Sequence, residues 1–189
     1  MIGGLGGNLC CRLSTQQSLE RVSLGVKFEE YVLARGIALV RFARLLTGDE
    51  HLAEDLVQDV LTRAYAQWRR VSELDRPDLY VRRMVVNGHH SWRRRLANHE
   101  IAVAAVRDST TGRDTAAESA ERDAVWRLVR QLSPRQRTVI VLRYYEDYDD
   151  ATIADLLQCS AGTVRTQAKR ALDKLQRLQS DLYAPMGDQ

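Results

Sequence analysis

After Gly25 the chain is almost free of residues that stop a helix. It carries three prolines in all, and five of its eleven glycines (Gly3, Gly4, Gly6, Gly7 and Gly25) fall in the first 25 residues. A long stretch without breakers, with apolar residues recurring every three or four positions, hides its hydrophobic surface by packing helix on helix. The expectation is an all-α fold. With 189 residues and 44% hydrophobic content, the chain has material for one ordinary domain or two small ones.

The periodicity begins at Val26, and Phe28, Val32, Leu39, Phe42 and Leu46 share one face. Thr47-Gly48-Asp49 interrupts it: Gly48 can end one helix and Asp49 can cap the next. The second helix is expected from His51 to about Arg70. Its stripe is Leu52, Leu56, Val60, Ala64 and Trp68, with Ala53, Val57, Leu61 and Tyr65 beside it. Its opposite face shows Glu54, Asp55, Gln58 and Asp59. A loop, Val71 to Pro77, leads to an arginine-rich third helix that keeps Tyr80, Val81, Met84, Val85 and Trp92. Asn98 to Glu121 is small, polar and aperiodic, which suggests a flexible linker.

A second helical block starts near Arg122. Ser133-Pro134-Arg135-Gln136 combines an N-cap, a proline at the first helical position and a capping-box glutamine, so a helix should run from Pro134 to about Tyr145. Asp149 can cap another over Asp150–Leu157, and Ser160 a last one from Ala161 to about Leu178. In that last helix Val164, Ala168, Ala171, Leu172 and Leu175 share a face. Arg165, Thr166, Lys169 and Arg170 fall away from it. A short capped helix, a tight turn and a capped basic helix make a helix-turn-helix, whose second helix enters the major groove of DNA. Ala161, Gly162 and Thr163 permit close approach to the backbone, and the basic residues behind them can reach phosphates or base edges. A basic surface helix of an ordinary bundle gives the same charge pattern, but not this order of caps and turn.

Net charge is only +3, so its distribution matters more than its sum. Lysine is confined to Lys27, Lys169 and Lys174, leaving arginine as the main cation. Cys10, Cys11 and Cys159 form neither a disulfide framework nor a zinc spacing, and a reducing cytoplasm is expected. No apolar run has the ~20 residues of a membrane span, and the N-terminus lacks the pattern of a secretory signal. Enzyme chemistry has no foothold. There is no phosphate-binding GxxxxGK[ST], and His51, His89, His90 and His99 do not form HExxH. Neither a metal nor a cofactor is expected.

Three stretches occur in one order: "AEDLVQDVLTRAYAQW", "YVRRMVVNGHHSWRRR" and "LSPRQRTVIVLRYYEDYDDATIADLLQCSAGTVRTQAKRALDKL". This order resembles the extracytoplasmic-function (ECF) sigma factors, bacterial RNA polymerase specificity subunits. The opening "LTGDEHLAEDLVQD" is most similar to the actinobacterial sigma-E subfamily. The resemblance covers about Phe28 to Leu178. It implies two small helical domains joined by a linker: sigma-2 over 26–97, linker over 98–121 and sigma-4 over 122–178. A mobile tail over 1–25 and a C-terminal tail over 179–189 flank them.

By position, the resemblance implies that Asp55, Gln58 and Asp59 dock on the β′ clamp helices of core polymerase, with the β flap a further contact. It implies that Asn87, with Tyr80, Arg83 and Trp92, meets the single-stranded −10 element, and that the loop Val71 to Asp78 captures a flipped base. It implies that Arg165, Thr166, Lys169 and Arg170 read the −35 element. Aromatic faces and arginines on one segment suit single-stranded DNA, since bases stack on the first and the backbone follows the second. Arg82 and Arg93 to Arg95 are counted with that segment. Trp68 and Trp126 are expected in the core, whereas Trp92 fits core or DNA equally. His89 and His90 are expected to face solvent. Tyr80, Gln167 and Lys169 depart from common family residues, so promoter sequence does not transfer.

The expected function is a non-catalytic, cytoplasmic initiation factor that binds core polymerase and promoter DNA. A dedicated anti-sigma factor is a candidate partner, expected to cover both domains. The alternative is a dimeric helix-turn-helix regulator acting without polymerase, against which the acidic face at Glu54–Asp59 argues.

Overall fold

The computed structural model describes residues 26–100 and 125–183. The expected N-terminal tail, linker residues 101–121 and C-terminal residues 184–189 lie outside the described residues. Those described form helices and turns and include no strand. In chain order the helices are α1 (Phe28–Thr47), α2 (Glu50–Tyr65), α3 (Trp68–Ser72), α4 (Pro77–Glu100), α5 (125–130), α6 (Pro134–Ile140), α7 (Asp150–Leu157) and α8 (Ala161–Tyr183).

The expected stops and starts are set by local chemistry. Gly48 ends α1 with φ of 79°, and its N–H donates to the Arg44 carbonyl. A side chain there would be strained in this left-handed conformation. Asp49 accepts from the Leu52 N–H and starts α2. Ser133 and Gln136 form the full capping box of α6, with Pro134 at its first position. Asp149 accepts from the Thr152 N–H, and Ser160 from the Thr163 N–H, to open α7 and α8.

Two helices are shorter than expected. α2 ends at Tyr65, and the chain turns at Ala66–Gln67 before α3. The turn brings the Trp68 indole N–H within 2.9 Å of the Val26 carbonyl and sets its ring against Phe28 and Tyr31. Tyr65, expected in the core row, is 62% exposed. In the second half, α6 gives way after Ile140 to a wider π-type turn, Val141–Tyr145, closed by the Glu146 N–H on the Val141 carbonyl. Such a turn sends the following side chains in new directions, and Asp147 then adopts φ of 55° to end it. α4, by contrast, runs on through Asn98 to Glu100, into the stretch expected to be linker.

The first half is a bundle in which α2 and α4 pack on α1. Leu39, Phe42, Leu46, Val57, Val60, Val81 and Val85 are buried at its centre. α2 and α4 cross closely at Gly88, where a Cβ would lie 2.7 Å from the Leu56 Cδ1. In the second half α8 packs on α6 and α7, burying Val164 and Ala168 in one cluster with Val139, Leu142 and Ile153, and Ala171 in another with Val129, Leu132 and Ile140. Leu172, expected on that buried face, is 43% exposed, although Ala171 beside it is buried and Leu175 one turn on packs against the second cluster.

The halves are not separate. α1 and α4 touch α6, α7 and the π-turn, and one continuous apolar cluster includes residues of both. Polar bonds stitch the seam. Arg137 donates to the Leu46 carbonyl at 3.0 Å, capping the end of α1, and also to the Arg130 carbonyl. His90 meets Thr138 Oγ1 at 3.2 Å, and Arg76 donates to Thr152 Oγ1 at 3.4 Å.

Candidate functional site

Three surfaces hold the expected residues. On α2, Ala53, Val57, Val60 and Ala64 face inward, so a 3.6-residue repeat turns Asp55, Gln58 and Asp59 outward, and all three are exposed. Asp59 is paired with Arg63 one turn on, at 3.1 Å. Asp55 and Asp59 also border a cleft of about 380 Å³ between α2 and α4, whose far side is His89, Trp92 and Arg95.

The second surface is α4 with the loop before it. Asn87 is exposed, and Tyr80 and Arg83 are half-exposed. They follow one line along the helix, at i, i+3 and i+7. Trp92 is five residues past Asn87 and so turned about 140° around the axis, toward α2. The structure therefore brings Tyr80, Arg83 and Asn87 together and sets Trp92 apart, in the cleft below the acidic face of α2. Arg93, Arg94 and Arg95 are exposed.

The expectation for Arg82 is overturned. Its side chain is 2% exposed and faces inward. Nε donates to Asp78 at 2.9 Å, and one Nη lies 2.7 Å from Glu146 Oε1 across the seam, while the guanidinium packs over the Phe42 ring at 5.3 Å. Burial disfavours its charge, but the Asp78 and Glu146 carboxylates outweigh that and raise its pKa above the usual range. Glu146 itself is 4% exposed. Burial pushes its carboxyl up to about 7, against the pull of Arg82. A buried guanidinium needs such partners. Asp78, one turn back, stands at the i, i+4 spacing of a helical ion pair, but no periodicity names Glu146 in the other half of the chain.

The histidines also depart from expectation. His89 is 2% exposed. Burial, then the charges of His90, Arg137 and Arg93, lower its pKa to about 3, so it is neutral. His90 is half-buried on the seam, and burial followed by Arg135 and Arg94 lowers its pKa as well. Their rings are 5.9 Å apart, and His89 also stacks at 6.4 Å from Trp92. Trp68 and Trp126 pack against the apolar clusters, as expected.

The third surface is α8. Gln158 takes φ of 53°, which bends the chain sharply between α7 and α8. Arg165, Thr166, Lys169 and Arg170 are all exposed, as are Gly162 and Thr163 at the helix start. Thr166 Oγ1 donates to the Gly162 carbonyl at 2.9 Å. The helix is two-sided, with an apolar face buried and a basic face open. Among the described residues no group of His, Cys, Asp and Glu is placed to hold a metal ion, and no helix is long and apolar enough to cross a membrane.

Both halves of the chain match known proteins. Residues 31–99 match the family model of Sigma-70 region 2, and residues 122–175 that of Sigma-70, region 4. The chain is 35% identical over 150 residues to an RNA polymerase sigma-E factor of Streptomyces avermitilis, covering 79% of this chain and 83% of that one. It is 27% identical over 169 residues to the ECF RNA polymerase sigma factor SigL of Mycobacterium tuberculosis, covering 87% and 93%. Among solved structures, it is similar to the sigma factor RpoE of Bartonella quintana, determined in complex with the anti-sigma factor NepR. That match has a TM-score of 0.71 at 25% identity, over 81% of this chain and 96% of that one.

Proposed function

Since the chain belongs to the sigma-70 family of RNA polymerase sigma factors, as an ECF-type member, we propose that its exposed surfaces divide the family's general role, polymerase binding and promoter recognition. Asp55, Gln58 and Asp59 dock on the polymerase clamp helices. Tyr80, Arg83 and Asn87, with the loop Val71 to Asp78, take up the single-stranded −10 element. Arg165, Thr166, Lys169 and Arg170 read the −35 element in the major groove. The observation that carries this reading is α8: a capped helix after a tight turn, with its apolar face packed and four polar or basic side chains open to solvent.

The division follows from chemistry. Arginine forks reach guanine edges and phosphates of a duplex. Aromatic and amide side chains on a helix beside a loop suit bases already out of the stack, and a pocket that reads such a base offsets a few kcal/mol of unstacking. Trp92, in its cleft, is assigned to packing between α2 and α4 and contacts DNA through no exposed face of the Tyr80–Asn87 line. The factor carries out no bond-making chemistry of its own and works in the cytoplasm, where polymerase and promoter are. An anti-sigma protein that spans both halves is a fitting regulator, as NepR is a partner of RpoE.

The test is run-off transcription with purified core polymerase. Transcripts that start at defined promoters only when the chain is added are expected. Duplex binding without polymerase association would instead favour a stand-alone helix-turn-helix regulator.

A further inference from the structure

The two threonines on the open face of α8 have hydroxyls already engaged within the chain. Thr166 Oγ1 donates to the Gly162 carbonyl, one turn back, at 2.9 Å. Thr163 Oγ1 lies 2.9 Å from Ser160 Oγ, which also accepts the Thr163 N–H, so that hydroxyl belongs to the cap of the helix. A threonine Cβ bears two groups, a hydroxyl and a methyl, and mid-helix hydroxyls commonly bond back to the preceding turn. With its hydroxyl proton committed to its own helix, Thr166 offers a partner its methyl. Its position matters as much. Thr163, Lys169 and Arg170 stand three or four residues from it, and all are exposed, so Thr166 is the centre of the open face. Long cations flank it on one side. Ala161 and Gly162 at the helix start add almost no bulk, which lets the backbone come near enough for a short side chain to reach a base edge.

We infer that Thr166 is a specificity-determining residue that reads a thymine, methyl against methyl, at the centre of the −35 element. The inference rests on the −35 role proposed above for α8. In the major groove the C5-methyl of thymine is the apolar feature of the base edges, and apolar contact is how a protein singles it out. To donate to a base, the Thr166 hydroxyl would have to give up the Gly162 carbonyl. To read a base while still bonded, it would have to accept an amino proton of adenine or cytosine. The methyl contact needs neither change. It forms with the side chain as it stands and removes apolar surface of both partners from water. Arg165, Lys169 and Arg170 then take the charged part of recognition, on guanine edges and phosphates, and Thr166 supplies a preference that no cation provides.

The test uses holoenzyme assembled from core polymerase and the full chain. Selection from a pool of duplex promoters randomised upstream of the −10 element recovers the preferred −35 sequence. Each thymine of that sequence, on either strand, is then replaced singly by uracil, which pairs in the same way and lacks only the C5-methyl. Competition binding reads each replacement. At one position uracil should weaken wild-type binding about fourfold, the worth of one methyl group withdrawn from water. Thr166→Ser keeps the hydroxyl and loses the methyl, so it should bind the thymine and uracil duplexes alike at that position. Thr166→Val keeps a methyl and loses the hydroxyl, and should retain the preference for thymine. Circular dichroism establishes that both variants are folded. Equal binding of thymine and uracil duplexes by the wild type at every position overturns the inference. A preference that survives in Thr166→Ser overturns it too, since the methyl is then read by another residue or through DNA shape. Loss of the preference in Thr166→Val assigns the reading to the hydroxyl as an acceptor and overturns the methyl contact. Each of these failures leaves the −35 reading of α8 standing if Arg165→Ala weakens binding to the selected element. A pool in which no upstream sequence is enriched sinks that reading and this inference together.

Discussion

The helices assigned to DNA, α4 and α8, are built on opposite plans. α8 has a packed side and an open side, and every residue of its basic face that sequence order singles out is exposed. α4 is enclosed on more than one side. It packs on α1 and α2, and α7 of the second half lies against it. Its arginines therefore divide: Arg83 and Arg93 to Arg95 reach solvent, while Arg82 is sealed between Asp78, Glu146 and Phe42. A basic residue on a two-sided helix is a surface residue by default. On a helix with several neighbours it can be a structural cation, and the same amino acid then contributes to folding instead of recognition.

Several measurements would break or sharpen that contrast. The largest effect is expected away from both DNA helices, on α2. Asp55→Arg with Asp59→Arg should abolish association with core polymerase, because both side chains are exposed and the Asp59–Arg63 ion pair is a surface one of small energetic weight. Helicity should be unchanged, and unchanged core affinity would remove this face from the interface. Next comes the buried cation. Arg82→Ala leaves two carboxylates without their shared partner and should cost about 3–5 kcal/mol in urea unfolding. Arg165→Ala should change stability by less than about 0.5 kcal/mol, as expected of an exposed side chain. Equal stability losses for the two would erase the distinction between the helices.

Recognition should show the reverse order. Arg165→Ala and Arg170→Ala should weaken −35-dependent transcription. The loss is ~1–3 kcal/mol with relaxed preference at one position if the residue reads a base, or a uniform loss with a salt slope smaller by about one if it holds a phosphate. Asn87→Ala should leave polymerase binding intact and slow open-complex formation, with a pre-melted template restoring only the share due to strand separation. Permanganate footprinting on both templates measures that share.

The smallest effect concerns pH and the seam. Glu146, faced by Arg82, Asp78 and Arg35 from the first half, holds its proton more tightly when buried. Packing of the halves is therefore supported below the ordinary carboxyl range, and that support is lost as pH rises through about 7. His90 faces Thr138 and Arg135 from the second half and Arg94 on its own helix, and its pKa is lowered. His89, facing Arg137 from the second half, is lowered to about 3. The histidines' contribution is present above the ordinary imidazole range and is lost as pH falls. In mildly acidic solution the carboxyl and the histidines oppose each other. Glu146→Gln removes the carboxyl and leaves the histidines, so its stability in urea unfolding should fall more on acidification than that of the wild type. The same pH profile in both would mean that Glu146 does not titrate with the packing of the seam.

Much of the molecule follows from short-range chemistry that the amino-acid order carries by itself. Gly48 and Asp49 part α1 from α2, Ser133 to Gln136 begin α6, and Asp149 and Ser160 begin α7 and α8, because a cap bonds to backbone groups only two or three residues away. The open face of α8 is equally legible, since a helix with one packed side needs only its own periodicity to say which residues point out. Other features were decided by the tertiary structure. The end of α2 at Tyr65 depends on Trp68 finding Val26, some forty positions earlier. The burial of His89 and Arg82, the exposure of Leu172 and the turn of Trp92 toward α2 depend on which helices lie alongside, and periodicity within one helix does not contain that information. The pairing of Arg82 with Glu146 is the extreme case. Two charges of no special spacing become a buried pair only once both halves of the chain have excluded water from around them.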